Sequence, residues 1–168
     1  MGVQSLQPFL RWRRRRLVGL VGFCIAVISC AVAPPTKAVV RRAIDGDTIE
    51  LMDGRLVRYV GIDTPEVRRR QGGDWVVDPE PFGQAATEEN ARLVTGKTIG
   101  LEYDVQTHDR YGRLLAYVYV DGQMVNAQLL EEGFAQLLTI PPNVKHVERF
   151  RRLEAEARRL RRGLWGLE

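Results

Sequence analysis

The chain has 168 residues, enough for one domain with a true core, and 25 basic against 21 acidic residues give a formal charge of +4. That charge misleads, because residues 1–33 hold five arginines and no acid, leaving 20 basic against 21 acidic residues beyond them. A domain so close to neutral is not a general polyanion binder. Both cysteines, Cys24 and Cys30, fall in the same first stretch and there are only two histidines, so disulfides, thiol chemistry and soft-metal sites are all but excluded for the rest.

Arg11 and Arg13 to Arg16 form a basic start, followed by an uncharged, mostly apolar run of 17 residues from Leu17 to Ala33. That run exceeds the usual signal-peptide core and only reaches the lower limit for a membrane span. Residues 1–36 therefore read as an export signal, cut near Ala31-Val32-Ala33 or Thr36-Lys37-Ala38. Two alternatives stay open: a lipoprotein leader lipidated at Cys30 of Val27-Ile28-Ser29-Cys30, and an uncleaved anchor. Arg14-Arg15 matches a twin-arginine signal weakly. The domain, residues 37–168, is expected outside the cytoplasm: secreted, periplasmic or held at the cell envelope.

Lys37 to Ile44 reads as a first strand, ending at the Asp45-Gly46 turn. Thr48 to Met52 and Leu56 to Ile62 alternate apolar and polar residues around Asp53-Gly54, the pattern of a hairpin. Val67 to Pro81, with three arginines, paired glycines, Trp75 and two prolines, reads as a loop. Phe82 to Val94 has helical periodicity, Thr98 to Tyr103 is a fourth strand, and Leu114 to Val120 is a cleanly alternating fifth. Asp121-Gly122 leads into a short helix, Met124 to Glu132, stopped by Gly133. A last helix runs from Lys145 to Arg162, with Val147, Phe150, Leu153, Ala157 and Leu160 at helical spacing. Five strands, one helix after the third and two at the end predict a small α+β barrel with packed helices.

The chemistry concentrates in two stretches. Ile44-Asp45-Gly46-Asp47-Thr48 puts two carboxylates on a tight turn, and Arg58 precedes Ile62-Asp63-Thr64-Pro65-Glu66. Crowded carboxylates repel one another unless a cation lies among them. An all-oxygen set without histidine suits a hard ion such as Ca2+, Mg2+ or Mn2+. If the second and third strands pair, the two acidic turns can converge at one end of the sheet. Downstream, Thr107-His108-Asp109-Arg110-Tyr111-Gly112-Arg113 supplies a second arginine on a turn. Two guanidinium groups can grip phosphate oxygens and stabilise the charge of a phosphorane-like transition state. The pattern points to metal-assisted attack on a phosphate.

With those blocks in view, the chain resembles the staphylococcal nuclease (thermonuclease) family from about Lys37 to Trp165. Asp109-Arg110-Tyr111-Gly112-Arg113-Leu114-Leu115-Ala116-Tyr117, Asp121-Gly122-Gln123-Met124-Val125-Asn126 and Leu164-Trp165 also match. The resemblance implies a five-stranded OB-fold barrel with three helices and a Ca2+-dependent phosphodiesterase acting on DNA and RNA, leaving a 3′-phosphate and a 5′-hydroxyl; a monomer is the default expectation. It implies that Asp47 and Asp63 bind the metal directly, helped by the Thr64 carbonyl, with Asp45 acting mostly through metal-bound water. Glu66 matches the family's proposed general base, Arg58 and Arg113 its phosphate-gripping arginines, and Tyr111, with Arg110, the contacts at the nucleotide.

Departures from the family pattern matter as well. Where the family carries pocket tyrosines, this chain has Leu137-Leu138-Thr139-Ile140-Pro141, with no aromatic. Arg68, Arg69 and Arg70 in the long loop could track the backbone of an extended substrate, and Trp75 could stack in place of the missing tyrosines. His108 reads as a solvated loop residue, Tyr117 and Tyr119 as packing against helices, and Trp165 as an anchor for the chain's end. Arg158, Arg159, Arg161 and Arg162 read as a solvated face, with a secondary nucleic-acid contact as the alternative. A catalytically silent OB module that binds single strands or a protein is the competing function. Such a module is expected to have lost some of Asp47, Asp63, Glu66, Arg58 and Arg113, and this chain has all five.

Overall fold

The computed structural model describes residues 1, 36–77 and 80–166, with only the backbone of residues 68–71, 75 and 77. The leader expected over residues 1–36 thus lies almost wholly outside the described residues, and so do the side chains of Arg68, Arg69, Arg70 and Trp75. Among the described residues no helix is long and apolar enough to cross a membrane. Every element below lies in the unit Ala33–Glu168.

In chain order the strands are β1 (Lys37–Ala43), β2 (Thr48–Leu51), β3 (Leu56–Tyr59), β4 (Ile62–Asp63), β5 (Arg68–Gln71) and β6 (Asp74–Val77). Helix α1 (Gly83–Val94) follows, then β7 (Thr98–Glu102), β8 (Leu114–Val120), β9 (Gln123–Met124), α2 (Val125–Glu131), β10 (Gln136–Leu137) and α3 (Val147–Arg159). A short 3-10 turn, Gly163–Gly166, ends the fold. Strands β3, β2, β1, β7 and β8 pair in that order, and β3 returns to β8 in parallel, closing a five-stranded barrel. The other barrel pairings are antiparallel, with a register irregularity in β1 between Val40 and Arg42. This is the expected α+β barrel with three helices.

Alternation explains the barrel. In β2 and β3, Ile49, Leu51, Val57 and Tyr59 point inward and are almost fully buried. Helix α3 covers the barrel with Phe150, whose ring meets Tyr117 edge-on at 5.9 Å, so Tyr117 packs against a helix as its sequence position predicts. At the start of α3, Glu102 on β7 gathers Lys145 at 2.5 Å, Tyr119 at 2.5 Å and His146 at 3.2 Å, while Asp104 accepts the Lys145 N–H at 2.9 Å. Those bonds fix where the helix begins.

The structure corrects the sequence expectation at two places. Residues 67–81 are not simply a loop: β5 and β6 pair through four residue pairs, Arg68 to Gln71 against Val77 to Asp74. Gly72 and Gly73, both with positive φ, make the two-residue turn that matches strand twist. The last helix ends at Arg159, leaving Leu160 42% exposed instead of on the buried stripe. Arg158 is exposed, as a residue of a solvated face is expected to be, and its guanidinium also lies 3.6 Å from the centre of the Trp165 ring. Trp165 is 7% exposed and anchors the chain's end as expected.

Gly133 terminates α2 with φ 77°, and a Cβ there would sit 2.3 Å from the Arg162 carbonyl oxygen. Glycine is thus required both by backbone conformation and by the close approach of the C-terminal segment.

Candidate active site

The Asp45–Thr48 turn and the end of β4 do converge. Pairing of β2 with β3 sets Thr48 opposite Arg58 and so brings Arg58 beside Asp47. The Thr64 N–H donates to Asp47 Oδ2 at 3.0 Å, the Thr48 hydroxyl to Asp47 Oδ1 at 3.2 Å, and the Asp47 N–H to Asp45 Oδ1 at 3.1 Å. Gly46 permits this closeness, since a Cβ there would lie 2.6 Å from Thr64 Oγ1.

Arg58 spans the acidic group, forming an ion pair with Asp47 and donating to Asp63 Oδ1 at 2.7 Å. Burial first, then the neighbouring charges of Asp45 and Asp63, push the Asp47 carboxyl up to about 7 against the pull of Arg58. Among the described residues, no three Asp, Glu, His or Cys side chains are gathered closely enough to cage an ion as they stand. The donor chemistry nevertheless fits a hard cation. A buried carboxylate is held next to two others whose charges oppose its ionisation, and every available ligand atom is oxygen.

Support comes from a side chain that sequence reasoning passed over. Asn90 on α1 is fully buried, donates to the Asp45 carbonyl at 2.8 Å and accepts the Tyr59 hydroxyl at 2.8 Å. It ties the acidic turn to both helix and barrel. Its signal was a polar residue on the stripe of α1 that buries Ala86, Leu93 and Val94.

Glu66 lies within the field of Arg58, whose charge pulls its carboxyl down. It lines a depression of about 420 Å³ with Asp63, Thr64, Glu80 and Gln136. Its N–H donates to Glu80 Oε2 at 3.2 Å and its carbonyl accepts the Glu80 N–H at 2.8 Å. Loss of solvent, then the charges of Asp45 and Asp63, hold its carboxyl above the usual range.

On the other side, Arg58 lines a cleft of about 420 Å³ together with Arg110, Tyr111, Arg113, Leu138 and Ile140. The structure thus gathers Arg58, Arg113, Tyr111 and Arg110 as one wall system. Tyr111, 68% exposed, has the guanidinium carbons of Arg110 and Arg113 at 4.8 and 5.6 Å from its ring centre. The facing wall is aliphatic, where Leu138 and Ile140 stand in place of tyrosines. Because Arg58 lines the cleft while its partner Asp63 lines the Glu66 depression, their contact marks where the two concavities meet. His108 is exposed, its ring beside the Thr107 hydroxyl, its carbonyl accepting from Gln106 and its backbone bridging to Leu114.

The family profile described as staphylococcal nuclease homologue matches residues 56–166, taking in β3 through the final turn. The chain belongs to the staphylococcal nuclease family. It is 41% identical over 129 residues to endonuclease YncB of Bacillus subtilis, covering 74% of this chain and 59% of that protein. It is 40% identical over 129 residues to the SPbeta prophage-derived endonuclease YokF of the same organism, covering 74% and 42% respectively. With the thermonuclease of Staphylococcus hyicus it shares 38% identity over 127 residues, 74% of this chain and 72% of that one. The chain therefore spans about half the length of the two Bacillus relatives. The profile match begins after the Asp45–Asp47 turn, so the placement of that turn at the site rests on the geometry above.

Proposed function

We propose that this protein is a Ca2+-dependent nuclease that hydrolyses phosphodiester bonds of DNA and RNA, acting as a monomer outside the cytoplasm. One observation carries the reading: Arg58 contacts the acidic pair Asp47 and Asp63 on one side and lines, with Arg113, an open cleft on the other. An oxygen-rich acidic group joined through an arginine to a second arginine is the equipment for an anionic phosphodiester. The names of the relatives, endonuclease and thermonuclease, support it.

Asp47 and Asp63, with the Thr64 carbonyl and Asp45 behind them, would hold the cation. When bound, the cation neutralises phosphate charge and lowers the cost of making a water nucleophilic. Arg58 and Arg113 hold the phosphate oxygens and strengthen that hold as charge builds on them. Glu66, its carboxyl raised toward neutral pH, accepts the proton of the attacking water. Tyr111 and Arg110 contact the nucleotide, and Arg68, Arg69 and Arg70 on β5 extend the path for a longer strand. The aliphatic wall of Leu138 and Ile140 packs against sugar and base without reading base edges. The export-type leader carries the extracytoplasmic assignment.

The test is incubation of the full-length protein with single-stranded DNA or RNA, in Ca2+ or in chelator, followed by identification of the product ends. Cleavage that requires Ca2+ and leaves a 3′-phosphate is expected. Equal cleavage in chelator removes the metal, and no cleavage in either removes the nuclease.

A further inference from the structure

The loop that carries Arg113 is organised by a single acidic side chain. Asp109 Oδ1 accepts the main-chain N–H of Tyr111 at 2.8 Å and of Arg113 at 3.0 Å, and its Oδ2 accepts Arg113 Nε at 2.7 Å. The main chain closes over the same five residues: the Asp109 N–H donates to the Arg113 carbonyl at 3.0 Å and the Gly112 N–H to the Asp109 carbonyl at 3.1 Å. Gly112 takes φ 80°, which lets the turn close.

The base of this loop is fixed from outside. The Gln106 N–H donates to Asn143 Oδ1 at 2.8 Å, and Asn143 Nδ2 donates back to the Gln106 carbonyl at 2.8 Å. Asn143 is 5% exposed, so the clasp is sheltered from water. Asp109 therefore aims a guanidinium from a rigid support.

The bond through Nε decides what remains available. With Nε committed to Asp109, both terminal amino groups of Arg113 are without a hydrogen-bond partner among the described residues. The Asp109 and Arg113 side chains are 16% and 29% exposed, more sheltered than an ordinary surface pair. Both residues line the cleft that Arg58 also lines, from β3, the strand paired beside β8. A planar guanidinium held by its Nε offers its two amino groups as a preformed fork.

Building on the phosphodiester-cleaving reading, we propose that Asp109 is a positioning residue that holds Arg113 by Nε, so that its terminal amino groups meet the phosphodiester group in the cleft. It touches no substrate itself. Its contribution is to remove the reorientation that Arg113 would otherwise undergo as charge develops.

The experiment is a double-mutant cycle on single-stranded DNA in Ca2+, using the full chain with Asp109→Asn, Arg113→Ala and both together. The asparagine keeps an oxygen for the two main-chain N–H groups and removes the charged partner of Nε. Asp109→Asn alone is expected to lower kcat by about 10–100-fold with KM changed less than about 2-fold. In the Arg113→Ala background it should change kcat by less than about 2-fold. Equal loss in both backgrounds, or a rise in KM with kcat unchanged, overturns the proposal, and so does loss of the cooperative thermal melt in Asp109→Asn.

A wild-type protein without turnover overturns the nuclease reading instead. Asp109 is then judged by arginine Nε–H resonances with inorganic phosphate as the probe. Protection of the Arg113 Nε–H and its shift on adding phosphate should both disappear in Asp109→Asn. Their persistence overturns the positioning role.

Discussion

The main-chain N–H of Thr64 donates to the carboxylate of Asp47 across 17 positions of sequence. That one bond locks the turn after β1 to the end of β4 and makes a single acidic site out of two separate motifs. Gly46 stands at the point of contact, and Gly46→Ala would drive a methyl into the Thr64 side chain at 2.6 Å. The substitution should destabilise the fold by about 1–3 kcal/mol, as overpacking of a tight contact does. Urea denaturation monitored by tryptophan fluorescence measures it, and an unchanged midpoint would mean that the turn yields freely.

Arg58 supplies the countercharge for Asp47, whose side chain is 7% exposed. Arg58→Gln leaves a sheltered carboxylate facing Asp45 and Asp63 without it. In chelator the loss should stay below the roughly 3–5 kcal/mol of a bare buried charge, because the Asp47 carboxyl, already raised to about 7, takes up a proton instead. Added Ca2+ should recover part of the loss, because an ion that binds only the folded protein stabilises it by mass action. Equal destabilisation in Ca2+ and in chelator would place the ion elsewhere.

Glu66→Gln keeps the shape of the side chain and removes its ability to take a proton. Turnover should fall by about 10²–10⁴-fold with the thermal melt intact. The acidic limb of the wild-type kcat/KM profile should lie above the ordinary range for glutamate, in keeping with the raised carboxyl. A mutant with wild-type turnover would strip Glu66 of the role.

The aliphatic wall of the cleft can be tested by restoring an aromatic. Ile140→Tyr, at a position 62% exposed, offers a stacking surface without disturbing the core. A gain of about 1–3 kcal/mol per stacked base should appear as a lower KM for single-stranded DNA, with kcat little changed. No change in KM would show that the base does not reach Ile140.

On β7, burial alone would raise the Glu102 carboxyl, yet hydrogen bonds from Lys145, Tyr119 and His146 outweigh it and hold it down at about 2. Its folded value lies below its unfolded one, so the stability it contributes is present above the unfolded value, about 4.5, and is lost as pH falls toward about 2. Glu102→Gln should be less stable at neutral pH, with a shallower decline over that acidic window. Thermal melts at stepped pH would show it, and parallel curves for both proteins would refute it.

Much of this architecture could be read before any coordinates because its elements obey local rules. Leu114 to Val120 alternates, Gly133 stops a helix where glycine must, and the Asp-Gly-Asp turn marks its own position. The hairpin of β5 and β6 escaped because charged and proline-flanked residues mask a strand pair whose only sign is Gly72-Gly73. Arg158 is exposed as expected, but nothing in helical spacing shows that Trp165 folds back beneath it. Asn90 and Asp109 act through bonds to main-chain atoms or to another side chain's Nε. Their importance depends on tertiary neighbours, which periodicity does not encode.

The mutual hydrogen bonds of Glu66 and Glu80 have a consequence for how the family's members can diverge. The chain leaves the barrel at Glu66 and is returned by Glu80 to the same spot, so the intervening hairpin behaves as a cassette clipped on at one socket. Its length and charge can drift without shifting the strands on either side, since closing a longer excursion costs little. Gly83 keeps the socket close-packed, since a Cβ there would lie 2.7 Å from the Glu66 carbonyl oxygen. Variety in substrate handling can thus accumulate beside the proposed base while the barrel stays the same.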